Sequence, residues 1–338
     1  MSKQVNIGVI GTGRIGKLHA ENLVYRVAEA RVVAVSDVRL EAAKQCAASL
    51  GIPNAYEDPR RILDDKSVEA VLICSSTDTH SPLIEAAAEA GKHIFCEKPI
   101  DFDLGRIDRA LDKVKKAKVK LQIGFNRRFD HNFRKIRDAV AEGKVGKVYS
   151  LRITSRDPAP PPIEYVKVSG GMFLDMTIHD FDMARFLIGS EVEEVYTLAG
   201  VMVDPEIGKA GDVDTALVTL KFANGVIGSI DNCRKAVFGY DQRAEVLGSE
   251  GMILTENDRP NTARLATSKA VFEDLPLNFF LERYMDSFIA ELRDFITAVR
   301  EDTPTPVTAP DGRRPVLIAM AALKSLQENR PVKLSEIE

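Results

Sequence analysis

The stretch Val5-Asn6-Ile7-Gly8-Val9-Ile10-Gly11-Thr12-Gly13-Arg14-Ile15-Gly16 decides how the first part of the chain is read. Val5–Ile10 is a short apolar run, three glycines follow in G-x-G-x-x-G spacing, and Lys17–Ala28 carries a helical pattern. In a strand–turn–helix setting each glycine has a task. Gly11 permits the tight turn, Gly13 lets the backbone approach a pyrophosphate, and Gly16 lets the helix pack closely on the strand. The helix start at Arg14 and Ile15 then offers amide donors to phosphates. A second strand, Arg31–Ser36, ends at Asp37, 21 residues beyond Gly16. A carboxylate at that spacing suits the adenosine ribose hydroxyls of NAD and repels the 2′-phosphate of NADP.

The alternation continues with strands at Ala70–Cys74, His93–Cys96 and Val119–Phe125 and helices at Pro82–Ala90 and Asp103–Ala117. Strands alternating with helices predict a doubly wound parallel α/β sheet of Rossmann type over residues 1–125. Ligands of such sheets lie at the carboxyl ends of the strands. Two polar groups of residues fall there. One runs from Ser75 through Thr77 to His80, where His80 also suits the start of a helix; the other is Glu97-Lys98-Pro99. Ser75, Thr77, His80, Glu97 and Lys98 are therefore expected to line the cofactor. Lys98 leaves a buried strand toward the crevice with its backbone restricted by Pro99.

After residue 125 the rhythm stops, and residues 126–338 are expected to form an α+β domain with a large, open, mostly antiparallel sheet. A helix at His131–Glu142 leads to a strand near Val148–Ser155 and a proline-rich loop, Asp157–Pro162. Strands follow at Val192–Val203, Thr215–Phe222, Val226–Asn232, Arg243–Leu247 and Met252–Glu256, with a hairpin turn at Asn224-Gly225. Helices at Leu281–Arg300 and Gly312–Asn329 close the chain. Between the loop and these strands lies Gly170–Leu187, GGMFLDMTIHDFDMARFL. As one helix it places Asp175, His179 and Asp182 on a single stripe of an otherwise apolar cylinder. Ionisable groups so buried are either mutually satisfied or used in chemistry.

Composition narrows the class. The chain has 338 residues, 45% hydrophobic and 28% charged, with a net charge of −4, which carries no footprint for nucleic acid or anionic membrane. No apolar run reaches the length of a membrane span, and Met1–Asn6 is too short and polar for a signal peptide. The four cysteines show no C-x-x-C spacing and read as reduced thiols of a cytoplasmic protein. The five histidines form no H-x-x-x-H pair, so no metal site is expected.

GTGRIG at residues 11–16, EKP at 97–99 and D-x-x-x-H at 175–179 together resemble the glucose–fructose oxidoreductase / inositol dehydrogenase (Gfo/Idh/MocA) family over nearly the whole chain. FCEKP, GFNRRFD, SRDPAPPP, FLDMTIHDFDMARFL and AGDVDTA are similar to its inositol-oxidising members. The resemblance implies NAD as cofactor, Lys98, Asp175 and His179 as the catalytic trio, and Arg128, Asp157 and Tyr240 as polyol contacts. It further implies a homotetramer and oxidation of myo-inositol to the 2-keto product, scyllo-inosose. Other sugars or scyllo-inositol, NAD-dependent glycoside hydrolysis and non-catalytic NAD-binding regulation are the competing readings within the fold. The chemistry agrees with the trio: without a metal, the hydroxyl proton needs a side-chain base whose pKa lies near the working pH, and histidine is the obvious one.

Overall fold

The structure is a computed structural model describing residues 4–337, which divide into two compact units. The first joins residues 4–126 to Asp286–Arg314; the second joins Arg127–Met285 to residues 315–337. The sequence pattern assigned everything past residue 125 to the second domain, yet Asp286–Arg314 returns to the first unit. The reason is apolar. Helix Met285–Glu301 carries Leu292, Phe295 and Ile296 into the same buried cluster as Val5, Ile7, Val9 and Phe95.

The first unit is built on six parallel strands: β1 (Val5–Ile10), β2 (Ala30–Ser36), β3 (Asn54–Tyr56), β4 (Ala70–Ile73), β5 (His93–Glu97) and β6 (Leu121–Gly124). Their order is β3-β2-β1-β4-β5-β6, which reverses direction between β1 and β4. Every residue of β4 and β6 is buried, as expected of a parallel sheet covered on both faces. β3 is too short for its pattern to stand out in the sequence.

The second unit carries β7 (Val148–Arg156), β8 (Val192–Gly200), β9 (Thr215–Phe222), β10 (Ile227–Cys233), β11 (Asp241–Gly248) and β12 (Met252–Leu254). A two-stranded hairpin, β13 (Arg264–Ala266) with β14 (Val271–Glu273), stands apart, and β15 (Val332–Lys333) completes the main sheet. The order is β12-β11-β7-β10-β9-β8-β15, and only β7 and β10 pair in parallel. Alternation sets the faces: Ala216, Val218, Leu220 and Phe222 are buried, while Leu217, Thr219 and Lys221 are exposed. The turn at Asn224-Gly225 forms as expected, with Gly225 at φ 85°. No helix of the described residues is long and apolar enough to cross a membrane.

Gly170–Leu187 is not one helix. Gly171–Asp175 forms a short helix, the chain breaks at Met176 and Thr177, and a second helix runs Ile178–Ile188. The Thr177 amide reaches back to the Met172 carbonyl. The fully buried Thr177 hydroxyl donates to Asn232 Oδ1 at 2.6 Å, tying the break to β10. Asp175 therefore ends one helix, and His179 lies in the first turn of the next.

Candidate active site

In the first unit the glycine turn is shaped as its spacing predicts. Gly11 adopts φ 91°, and a Cβ there would stand 2.6 Å from the Ser75 amide nitrogen. A Cβ on Gly16 would stand 1.9 Å from the Gly11 carbonyl oxygen, so helix Arg14–Arg26 starts as close to β1 as glycine allows. Gly13 is exposed and faces open space, leaving room for a bulky phosphate group. Arg14 is exposed and Ile15 half-buried at the first positions of that helix.

Asp37 sits one residue past β2 with its carboxylate aimed at this turn. Oδ2 accepts the Thr12 amide at 2.9 Å and the Thr12 hydroxyl at 3.0 Å; Oδ1 accepts the Arg39 amide at 2.9 Å. Partial burial works against the charge, but these donors outweigh it and hold the carboxyl below its ordinary pKa. A fixed anion at the end of β2, beside an open glycine turn, is the arrangement that fits a dinucleotide with a free ribose 2′-hydroxyl.

The remaining first-unit residues divide. Ser75 and Thr77 are half-buried after β4, and Ser75 Oγ lies 2.6 Å from Thr79 Oγ1. His80 begins helix His80–Glu89 and is buried, with Nδ1 2.8 Å from the Pro99 carbonyl oxygen and Nε2 3.0 Å from that of Ser75. Both ring nitrogens thus face backbone carbonyls, so His80 braces two loops rather than presenting its ring to a ligand; burial lowers its pKa. Glu97 is turned inward, with Oε1 2.6 Å from His19 Nε2. Lys98 is half-buried directly after β5, and its amide lies 3.3 Å from Glu97 Oε2.

In the second unit the parallel pairing of β7 with β10 builds the site. Arg156 pairs with Cys233, so Asp157 and Arg234 leave the sheet side by side. Tyr240 enters at the same end, because Asp241 of β11 also pairs with Arg156. Arg234 is buried and bridges two carboxylates, with Nη2 3.1 Å from Asp175 Oδ2 and Nη1 3.5 Å from Asp157 Oδ2. Asp175 also accepts the Tyr165 hydroxyl at 2.8 Å. Burial pushes the Asp157 carboxyl up to about 6, with Arg234 opposing and Asp175 reinforcing the shift.

Arg127 lies beside this group. Its Nη1 donates to the fully buried Asp180 at 2.7 Å, and its Nη2 lies 3.4 Å from the Tyr240 hydroxyl. Burial raises the Tyr240 pKa well above its ordinary value despite that guanidinium. Arg128, the expected polyol contact, is committed elsewhere: Nε and Nη2 grip both oxygens of buried Asp182 at 2.8 and 2.6 Å. Asp182 is therefore an anchor for Arg128, not a third member of the Asp175–His179 stripe. Arg127 and Arg234 are not singled out in the sequence; their positions, three residues past glycine-ended β6 and one residue past β10, are the signals that point to them.

Two family profiles match the chain, an oxidoreductase family with an NAD-binding Rossmann fold over residues 5–125 and a GFO/IDH/MocA C-terminal domain over residues 133–254. The chain belongs to the Gfo/Idh/MocA family. A myo-inositol 2-dehydrogenase of Thermotoga maritima is 54% identical over 98% of this chain and 99% of its own. A solved structure described as a "probable dehydrogenase from Thermotoga maritima" superposes with a TM-score of 0.97 at 53% identity, over 99% of this chain and 100% of its own. A scyllo-inositol dehydrogenase from Lactobacillus casei, solved with NAD(H) and scyllo-inositol bound, gives a TM-score of 0.92 at 29% identity, over 98% of this chain and 100% of its own. The first unit of this Gfo/Idh/MocA protein is thus an NAD-binding Rossmann domain.

Proposed function

We propose that this protein is an NAD-dependent inositol dehydrogenase that oxidises myo-inositol at its axial C2 hydroxyl to scyllo-inosose. The observation that carries the reading is the bridge from Arg234 to both Asp157 and Asp175. It gathers, at one end of the second-unit sheet, a buried guanidinium and two carboxylates, donors and acceptors suited to the hydroxyls of a neutral ring. The matching myo-inositol 2-dehydrogenase supports the choice of substrate.

NAD, when bound, supplies the acceptor for the hydride. His179 takes the hydroxyl proton, Asp175 orients the imidazole or binds a neighbouring hydroxyl, and Lys98 hydrogen-bonds the reacting oxygen. Asp157 and Tyr240 are substrate contacts in this reading; Arg128 supports the wall through Asp182, and Arg127 takes the place beside Tyr240. The partner of the exposed sheet face is a second copy, in a homotetramer. All four cysteines are free, which accords with a cytoplasmic location.

The deciding experiment measures NADH formation with myo-inositol, scyllo-inositol, chiro-inositol and glucose, each with NAD. Myo-inositol should give the highest kcat/KM, because a site of buried polar groups rejects ring isomers that leave them unpaired. A more than tenfold preference for another compound would overturn the substrate assignment. Turnover of a glycoside with no net NADH would replace dehydrogenase by hydrolase.

A further inference from the structure

The first unit contains three ionisable side chains that the proposed chemistry leaves unused. His19 comes from helix Arg14–Arg26, Glu97 ends β5, and Glu291 comes from helix Met285–Glu301. His19 and Glu291 are completely buried. His19 Nε2 lies 2.6 Å from Glu97 Oε1 and 4.0 Å from Glu291 Oε1, while Glu97 Oε2 lies 3.3 Å from the Lys98 amide nitrogen. Among the described residues, neither carboxylate oxygen of Glu291 nor His19 Nδ1 has a hydrogen-bond partner.

The walls leave this group little room. Phe95 and Phe288 meet the His19 ring edge-on at 5.3 and 5.7 Å. A Cβ on Gly124 would stand 3.0 Å from Glu97 Oε2, so any side chain there would press on that carboxylate. Gln122 donates to the Glu291 backbone carbonyl at 2.8 Å, pinning the helix that presents this acid.

Two ionised acids this close together would repel each other. Burial, reinforced by the Glu97 charge, pushes the Glu291 pKa well above its ordinary value. Glu97 faces two nitrogens, His19 Nε2 through Oε1 and the Lys98 amide through Oε2. The three ligand atoms lie within 4.8 Å of one another, as a cation would require. However, the 2.6 Å contact is of hydrogen-bond length, tighter than two ligands sharing a zinc ion allow. A buried polar trio usually costs stability relative to apolar packing, so its use is sought in what it holds.

We propose that His19 and Glu291 are positioning residues for Lys98: His19, backed by the Glu291 carboxyl at 4.0 Å, fixes the Glu97 carboxylate in the orientation that accepts the Lys98 amide, and so aims the lysine side chain. The inference rests on the reading of Lys98 as a proton-handling group. Displacing such a side chain by about 1 Å is enough to cost on the order of a hundredfold in rate.

The test is a mutant cycle. His19→Leu and Glu291→Leu are each made in the native chain and in Lys98→Met, folding is checked by thermal melting, and kcat and the KM for NAD are measured with the best cyclitol. With Lys98 present each should lower kcat by about ten- to a hundredfold and leave KM for NAD within about threefold, and Glu291→Gln should recover most of the loss. In Lys98→Met neither should lower kcat further. Equal losses in both backgrounds would make the trio merely structural. Native kcat in folded His19→Leu, with Lys98→Met slow, would overturn the positioning role alone. Native kcat in Lys98→Met would instead overturn the reading on which it rests. A stoichiometric divalent metal in the purified protein would also overturn it, since a cation would then be satisfying the acids. If the leucine variants do not fold, Glu97→Gln in the same two backgrounds gives the same discrimination.

Discussion

Asp37 is held by two backbone amides and one hydroxyl, so its charge is fixed where a cofactor ribose would meet it. Asp37→Ser should therefore erode the preference for NAD by about tenfold or more, read as the ratio of kcat/KM with NAD to that with NADP. A native protein that already favours NADP would refute the assignment. Lys98→Met and His179→Ala should each cost about two to four orders of magnitude in kcat, the usual worth of a general acid or base. Near-native turnover in either would make those groups structural. Asp157 offers a pH test with a definite sign. Its folded pKa of about 6 lies above the ordinary 3.8, so the folded state favours the neutral acid. Stability should fall as pH rises from about 4 through about 6 and remain lower above that. Asp157→Asn should remove this loss, gaining about 1 kcal/mol at pH 8 and nothing at pH 3.5; the figure is discounted because the side chain remains 23% exposed. Melting curves of both proteins at the two pH values check it.

Two elements show where sequence reading succeeds and where it stops. The glycine turn, and the placing of Asp37 and Lys98 directly after β2 and β5, were legible because each lies within a short spacing of its own strand end. Arg234 was not, because its neighbour Asp157 is 77 positions away and becomes adjacent only through the parallel pairing of β7 and β10. No local pattern distinguishes one parallel pair within an otherwise antiparallel sheet. The helix break at Met176–Thr177 was also hidden, since the apolar run across it keeps helical spacing and the interruption comes from a distant partner, Asn232. Thr177→Val preserves shape but strands the buried Asn232 oxygen, which costs about 1–3 kcal/mol. Denaturant titration should show that loss, with kcat falling as the break that separates Asp175 from His179 relaxes. Unchanged stability would mean that the backbone sets the break unaided.

For the whole molecule, the outer face of the second-unit sheet is the main unsolved surface. Leu198, Leu217, Ile227, Leu247, Met252 and Leu254 are each at least 42% exposed there. An apolar face of that extent calls for a cover, and closed symmetry among identical chains provides one. Sedimentation velocity at micromolar concentration should give a tetramer, and Leu217→Glu with Ile227→Glu should shift it to smaller species. A stable native monomer would rule this out. The return of Asp286–Arg314 to the first unit has a consequence for how the protein is made. Leu292, Phe295 and Ile296 belong to the apolar cluster that holds Val5 and Ile7. A ribosome must therefore translate nearly the whole chain before the nucleotide-binding half can close its core. Until then that half waits with apolar surface uncovered, and a polypeptide released early would carry the glycine turn beside an unfinished core.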